Sequence, residues 1–332
     1  MKCHNLLCDN KLLSNIGNSH ALLLVGEDSL AVEGLMKSYV AKVLCIENAD
    51  ALDNINKVGL NSTPCLKCKN CKLVLDDKHP DVIQLNKPKL VVADIQTILD
   101  SILISPFGEY KLYLISNFDT ANEQAQNKLL KSLEEPPRNV IFVLGASTVV
   151  SILPTIMSRC RVYHVLPFEL NALKQSMLAY YPDDDNLDLA LSLSGGQITR
   201  VENFLNNPQY KSNFDIAISV LLNLKSSADL LSVSSTLISH KEHLIDIVDF
   251  IILILRDVLV FKNSLQDLVF SKAFLKDILD ISKLYTSHAL INILKQLNNI
   301  LKRIKTFGNT NSIVDNLLFI LLENKYNNRA VL

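Results

Sequence analysis

Glycine is scarce in this chain, with nine residues in 332, so tight left-handed turns must be few. That scarcity fits a helix-rich protein. Neither sign of charge is in excess: 33 Lys and Arg against 34 Asp and Glu leave a formal net charge of −1. A strongly basic surface is thereby excluded, and any contact with nucleic acid must be local or supplied by partners. Met1–His20 has neither an uninterrupted apolar core nor a small-residue cleavage site, so no export signal is expected and the cytoplasm is the expected location. The longest apolar run, His243–Phe261, carries Asp246, Asp249, Arg256 and Asp257. A bilayer span needs about 20 predominantly apolar residues, so this run reads as a buried helix and no membrane contact is expected. What is present is a globular composition, 48% hydrophobic and 20% charged, on a chain long enough for two or three domains.

Residues 20–165 alternate strand-like and helix-like segments, which argues for an α/β domain with a largely parallel sheet. Ala21–Val25, Asp81–Leu85, Lys111–Ile115, Val140–Leu144 and Val162–Val165 are the strand candidates. Leu30–Cys45 and Asp94–Ile104 show helical spacing. Residues 169–206 read as three short helices, with Gly195-Gly196 as a stop. Pro208 marks a boundary, and everything beyond it reads as helix. There Leu290, Leu294, Leu297, Leu301 and Ile304 draw one apolar stripe, read mainly as core and in part as a surface for other subunits. The expected domains are 1–167, 168–207 and 208–332.

Three features carry chemistry. The first is a corner. Asp119 and Thr120 offer cap oxygens to a helix whose inner face is Ala125, Leu129, Leu130 and Leu133, and Pro136-Pro137 end it. A strand apolar on both faces follows, then a short helix opened by Pro154 and ending in Ser158-Arg159-Cys160. Rigid elements on both sides hold the Arg159 guanidinium at the surface. It can pair with a local carboxylate or place several N–H donors on a developing phosphate charge, as a lysine's point charge cannot.

The second feature is a lack. A phosphate loop after the first strand would read G-x-x-x-x-G-K-[ST]. The chain has Gly26-Glu27-Asp28-Ser29-Leu30-Ala31-Val32 instead, with Glu27 and Asp28 placing negative charge where phosphate would sit. Ser116-Asn117-Phe118-Asp119 likewise lacks the paired acids that hold Mg²⁺, and Asp119 reads as a helix cap.

The third is Cys65-Leu-Lys-Cys68-Lys-Asn-Cys71, three thiols at spacings that let a loop wrap one tetrahedral zinc ion. Lys67, Lys69 and Lys72 favour thiolates. With no open-site base nearby, the zinc would be structural; the competing reading is a redox CxxC. His79 is one candidate for a fourth ligand. Cys3, Cys8 and Cys160 read as ordinary thiols, the last buried under the arginine.

The stretch Asn127–Arg161, NKLLKSLEEPPRNVIFVLGASTVVSILPTIMSRCR, resembles the core of the AAA+ clamp-loader subunits, and the ending Asn309–Leu322 is similar to their last helix. The resemblance implies a P-loop NTPase-like AAA+ module with a zinc-binding insertion, a small helical lid and an all-α C-terminal collar for oligomerisation. It implies that Arg159, supported by Ser158, is a finger acting in trans on ATP in the neighbouring subunit. It makes Cys45 the fourth zinc ligand beside Cys65, Cys68 and Cys71. Gly195-Gly196-Gln197-Ile198 stands where a motor subunit carries a nucleotide-sensing arginine. With the altered loop at Gly26, this implies a member that binds no ATP and performs no chemistry alone, although its complex serves a nucleotidyl-transferring DNA polymerase. The implied partners are the motor (gamma/tau) and delta subunits in a hetero-pentamer, and through them the sliding clamp and primed DNA. Two alternatives stand beside this: a divergent ATPase motor of the same fold, and a zinc-dependent nucleic-acid-binding module using Lys67, Lys69, Lys72 and Lys78.

Overall fold

The computed structural model describes residues 7, 13, 19–47, 63–263, 274–305 and 309–326. The chain divides into two compact units, Met1–Asp183 with Gly196–Thr199, and Asp184–Gly195 with Arg200–Leu332.

The first unit is built on a five-stranded sheet: β1 (Ala21–Val25), β2 (Val82–Leu85), β3 (Lys111–Ile115), β4 (Val140–Ala146) and β5 (Arg161–His164). Its order is β2-β3-β4-β1-β5 and every pairing is parallel. The central strands β1, β3 and β4 are buried along their whole length. This is why they read as continuous apolar runs and not as alternating ones. The helices are α1 (Ser29–Leu44), α2 (Lys69–Leu75), α3 (Val92–Ile102), α4 (Glu123–Glu134), α5 (Pro154–Met157) and α6 (Leu170–Leu178). At β4, Gly145 lets α1 approach closely: a Cβ there would lie 2.6 Å from the Met36 sulfur. One sheet face packs on α3, α4 and α5 through Ile95, Ile98, Leu129, Leu133, Phe142 and Ile156. The fold is thus a parallel α/β module, as the alternation of segments predicts.

The strand order reverses at β1, since β2, β3 and β4 all lie to one side of it and β5 to the other. Clefts outside the carboxyl ends of strands at such a reversal are where α/β sheets place ligands.

The second unit is helical: α7 (Leu187–Ser194), α8 (Ile198–Asn206, from Arg200 onward), α9 (Pro208–Asn223), α10 (Leu230–Ser239), α11 (Leu244–Lys262), α12 (Leu275–Ser282), α13 (Ser287–Lys305) and α14 (Thr310–Tyr326). Phe214 of α9 meets Phe204, Phe250 and Phe274 edge-on and forms the aromatic centre of this core. The apolar run α11 is a core helix, and no described helix is long and apolar enough to cross a membrane. The stripe on α13 is rotated from the one the leucine spacing suggests. Leu290, Ile293, Leu297 and Ile300 are buried, whereas Leu294, Leu301 and Ile304 are half-exposed on its flank.

Candidate functional site

The corner around Arg159 is assembled from α4, β4 and α5. The cap of α4 is Asn122, whose side chain accepts the Ala125 N–H at 2.9 Å, and not Asp119 or Thr120 as the sequence suggests. Those two residues lie in a 3-10 turn, Phe118–Thr120. There the Asp119 carboxylate accepts the Ser147 hydroxyl, and Thr120 donates to the Asn117 carbonyl. The correction has a simple cause: the extra turn takes up the residues just before the helix, and the first residue with free side-chain reach to a helical N–H is Asn122.

Gln126, fully buried on α4, donates to the Ala121 and Ser151 carbonyls and accepts the Leu153 N–H at 2.8 Å. One carboxamide thus ties the start of α4 to the turn that opens α5. Pro154 occupies the first turn of α5, where its missing N–H costs nothing. The guanidinium of Arg159 then donates through Nη1 to the Thr155 carbonyl at 2.8 Å and to Ser158 Oγ at 3.4 Å, and through Nη2 to Glu134 at the end of α4. Its Nε–H is buried without an acceptor. Cys160 is buried in the core of this unit, and burial pushes its thiol up to about 12.

At the carboxyl ends of β1, β3 and β4 lies a cleft of about 250 Å³, lined by Gly26, Glu27, Glu33, Asn86, Asn117 and Ser147 among others and by no basic residue. Gly26 has a packing reason to be glycine, because a Cβ would lie 2.9 Å from the Val165 carbonyl oxygen. Asp28 does not face the cleft as a bare charge, as the sequence suggests. Its carboxylate accepts the N–H groups of Ala31 (3.2 Å), Ile198 and Thr199 (3.1 Å) together with the Thr199 hydroxyl (2.6 Å). An internal anion therefore occupies amide donors at the openings of two helices, the kind of donor that a phosphate seeks. Asp28→Ala strands these donors in a buried place. It is expected to destabilise the α/β unit by roughly 2–4 kcal/mol, read as a fall in its urea midpoint with faster amide exchange at 196–199.

The thiols of Cys45, Cys65, Cys68 and Cys71 lie within 4.8 Å of one another, the only such group of potential metal ligands among the described residues. A tetrahedral zinc–thiolate site has sulfur–sulfur separations of roughly 3.8 Å, so four sulfurs at this range fit the ion with little adjustment. Cys45 ends α1 and Cys68 caps α2. Backbone N–H groups of Cys65, Cys68 and Cys71 point at the sulfurs of Cys45, Cys65 and Cys68 at 3.3–3.5 Å. Such donors stabilise thiolates. Burial works against ionisation at Cys68, yet the N–H groups of Cys71 and Ile46 and the thiols of Cys71 and Cys65 bring its pKa down to about 7. Burial pushes Cys71 and Cys45 up. His79 stands outside the cluster, with its Nδ1 accepting the Asp81 N–H at 3.2 Å. Lys67, Lys69, Lys72 and Lys78 are all exposed. Cys3, Cys8 and residues 48–62 before the cluster lie outside the described residues.

Glu134, Gln126 and Thr199 join these sites without any signal in the sequence that singles them out. Each pairs with a residue 25 or more positions away, beyond the reach of periodicity.

Residues 9–169 match the family model described as DNA polymerase III, delta subunit. The chain is similar to DNA polymerase III subunit delta' of Haemophilus influenzae, at 27% identity over 259 residues that cover 74% of this chain and 72% of that one. It is similar to subunit delta' of Bacillus subtilis at 25%, covering 78% and 81%. It is also similar to subunit gamma of Buchnera aphidicola subsp. Baizongia pistaciae at 32%, covering 49% and 43%. The chain spans only part of the gamma and tau relatives that it matches, 43% of that gamma and 23% of Escherichia coli tau. A solved gamma subunit-related protein of Thermotoga maritima aligns with 98% of this chain at 18% identity and a TM-score of 0.44.

Proposed function

We infer that this chain, which belongs to the delta-prime family of DNA polymerase III clamp-loader subunits, is a stator: it hydrolyses no ATP and lends Arg159 to the ATP site of an adjacent motor subunit. One pairing carries the reading. An arginine fixed at a corner of the α/β unit goes together with a cleft that offers phosphate no basic residue and whose flanking amides Asp28 has taken. The partners are gamma/tau motor subunits and a delta subunit, with the sliding clamp and primed DNA reached through the complex during replication. Residues 1–167 act as the AAA+ module, 168–207 as its lid, and 208–332 as the collar through which it assembles. Cys45, Cys65, Cys68 and Cys71 hold a zinc ion whose role is to fix the loop between α1 and α2, and no ATP is bound here.

Phosphoryl transfer leaves a protein little covalent work, so the arginine acts by neutralising charge that builds on the transferring phosphoryl group. Because it comes from another subunit, hydrolysis waits until the two modules are aligned. The test is ATP hydrolysis, stimulated by clamp and primed DNA, in a complex reconstituted with motor and delta subunits. Arg159→Ala is expected to lower turnover with assembly unchanged, and unchanged turnover removes the reading. Calorimetric titration of the chain alone with Mg–ATP is expected to show no binding. Binding in the micromolar range would favour a divergent motor instead.

A further inference from the structure

We propose that Glu134 is a latch on Arg159, a positioning residue that holds the guanidinium against its own subunit until a phosphate competes for it. The inference rests on the trans-acting role given to Arg159 above. A bidentate phosphate contact needs the guanidinium's paired terminal nitrogens, and here both are engaged within the chain. Nη2 donates to the Glu134 carboxylate, and Nη1 donates to the Thr155 carbonyl and Ser158 Oγ. In this pose one Nη2 N–H is left for at most a single contact, so a paired contact with a neighbour's nucleotide has to compete with Glu134 and with the Nη1 acceptors.

Two further observations make the release easy. The ion pair faces solvent, with 31% of the arginine side chain and 45% of the glutamate side chain exposed, and pairs in that setting hold weakly. The Nε–H of Arg159 is meanwhile buried with no acceptor, a penalty of the latched pose that an outward swing relieves. A γ-phosphate carries more charge than one carboxylate and presents more acceptor oxygens. It outcompetes Glu134 once it is within reach, whereas a misaligned or absent nucleotide does not. Glu134 thus suppresses turnover before the complex is properly assembled on its substrate. Being the last helical residue of α4, Glu134 sits on an element that Gln126 already ties to the turn opening α5, the short helix whose end-cap Ser158 directly precedes Arg159. The distance between the two partners is set by the fold, not by chance encounter.

Two measurements test the latch. In the full chain alone, the rate at which phenylglyoxal modifies Arg159 is followed by mass spectrometry in wild type, Glu134→Gln and Glu134→Asp. Glu134→Gln is expected to raise it about two- to fivefold, with Glu134→Asp between the two. An unchanged or lower rate overturns the latch, whatever Arg159 does in the complex. In the reconstituted complex without clamp or DNA, Glu134→Gln is expected to raise basal ATP turnover by a similar factor. The double variant with Arg159→Ala is expected to match Arg159→Ala alone. A fall in turnover with Glu134→Gln also overturns the proposal, because Glu134 would then be a prop that prepares the arginine. If Arg159→Ala itself changes nothing, the trans-acting role fails and takes the latch's purpose with it. The modification rates still report separately whether the restraint exists.

Discussion

Arg159→Lys is expected to lose nearly as much as Arg159→Ala, with a fall of about 10³-fold or more at the one ATP site that this chain is proposed to complete. Keeping the positive charge should not rescue the reaction, because the corner provides geometry. Gln126 fixes the turn that opens the short helix leading into Arg159, and from there the planar fork can present paired N–H donors to a phosphate once its contacts within the chain are released. A lysine ammonium is a point charge on a flexible stem, has no fork and stops short of the guanidinium's reach. The total rate of a complex with several motor sites understates the loss if those sites fire independently. The measurement is therefore a rapid-quench burst, in which the amplitude belonging to this interface should disappear while the others persist. Recovery of half the amplitude or more with lysine would show that charge alone suffices, and the corner's geometry would then need another explanation. Lysine also loses the fork that Glu134 and Thr155 share, so Arg159→Lys and Glu134→Gln together should look like Arg159→Lys alone.

Much of the fold is legible in the residues, and the reasons are local. A strand in the centre of a parallel sheet is apolar on both faces, so Ala21–Val25, Lys111–Ile115 and the run from Val140 can be read directly. Helix interiors follow from spacing, yet their ends shift where a short 3-10 turn intervenes, as at Phe118–Thr120. The stripe on α13 was rotated by one position because isoleucines at 293 and 300, not only leucines, face the core. The corner's location is legible as well, since prolines and a buried strand bracket it. Its chemistry is legible only in part. Nothing near Glu134 in the sequence says which of two adjacent glutamates reaches Arg159. Nothing near Asp28 announces donors 170 positions downstream. Asp28 in particular reads locally as repulsion, yet in the folded chain it is an acceptor that joins two segments. Where a phosphate loop would stand, the chain thus carries a carboxylate on amide donors of the kind that a phosphate seeks, and a motif's absence alone does not reveal that.

Removing the zinc proposed for the four-thiol cluster is expected to loosen residues 65–75 while the sheet stays folded. Metal binding by such sites is itself a large folding free energy, about 10–16 kcal/mol in isolated zinc-finger peptides. Here α1 is held independently by the core of the α/β unit, through Leu35, Met36, Tyr39 and Val40, so the loss is confined to the loop and α2. With only Cys71 and Val74 buried on α2, little apolar area remains to hold that short helix once the ion is gone. Amide exchange at Cys65, Cys68 and Cys71 should therefore accelerate by at least about 10²-fold after chelation or in Cys71→Ser. Exchange in β1 and β4 should hardly change. Binding should also release protons. Burial pushes the Cys45 and Cys71 thiols up, and both must ionise to serve as ligands, so zinc affinity falls as pH is lowered. Elemental analysis of the purified chain should find a single zinc ion, and exchange measured before and after chelation should show the local change. A chain that carries no zinc, and whose 65–75 segment responds instead to reductant, would turn the cluster into a redox pair with two spare thiols. If the metal is present and chelation leaves exchange unaltered, the loop is held by the N–H···S contacts and packing alone, and the ion is dispensable to it.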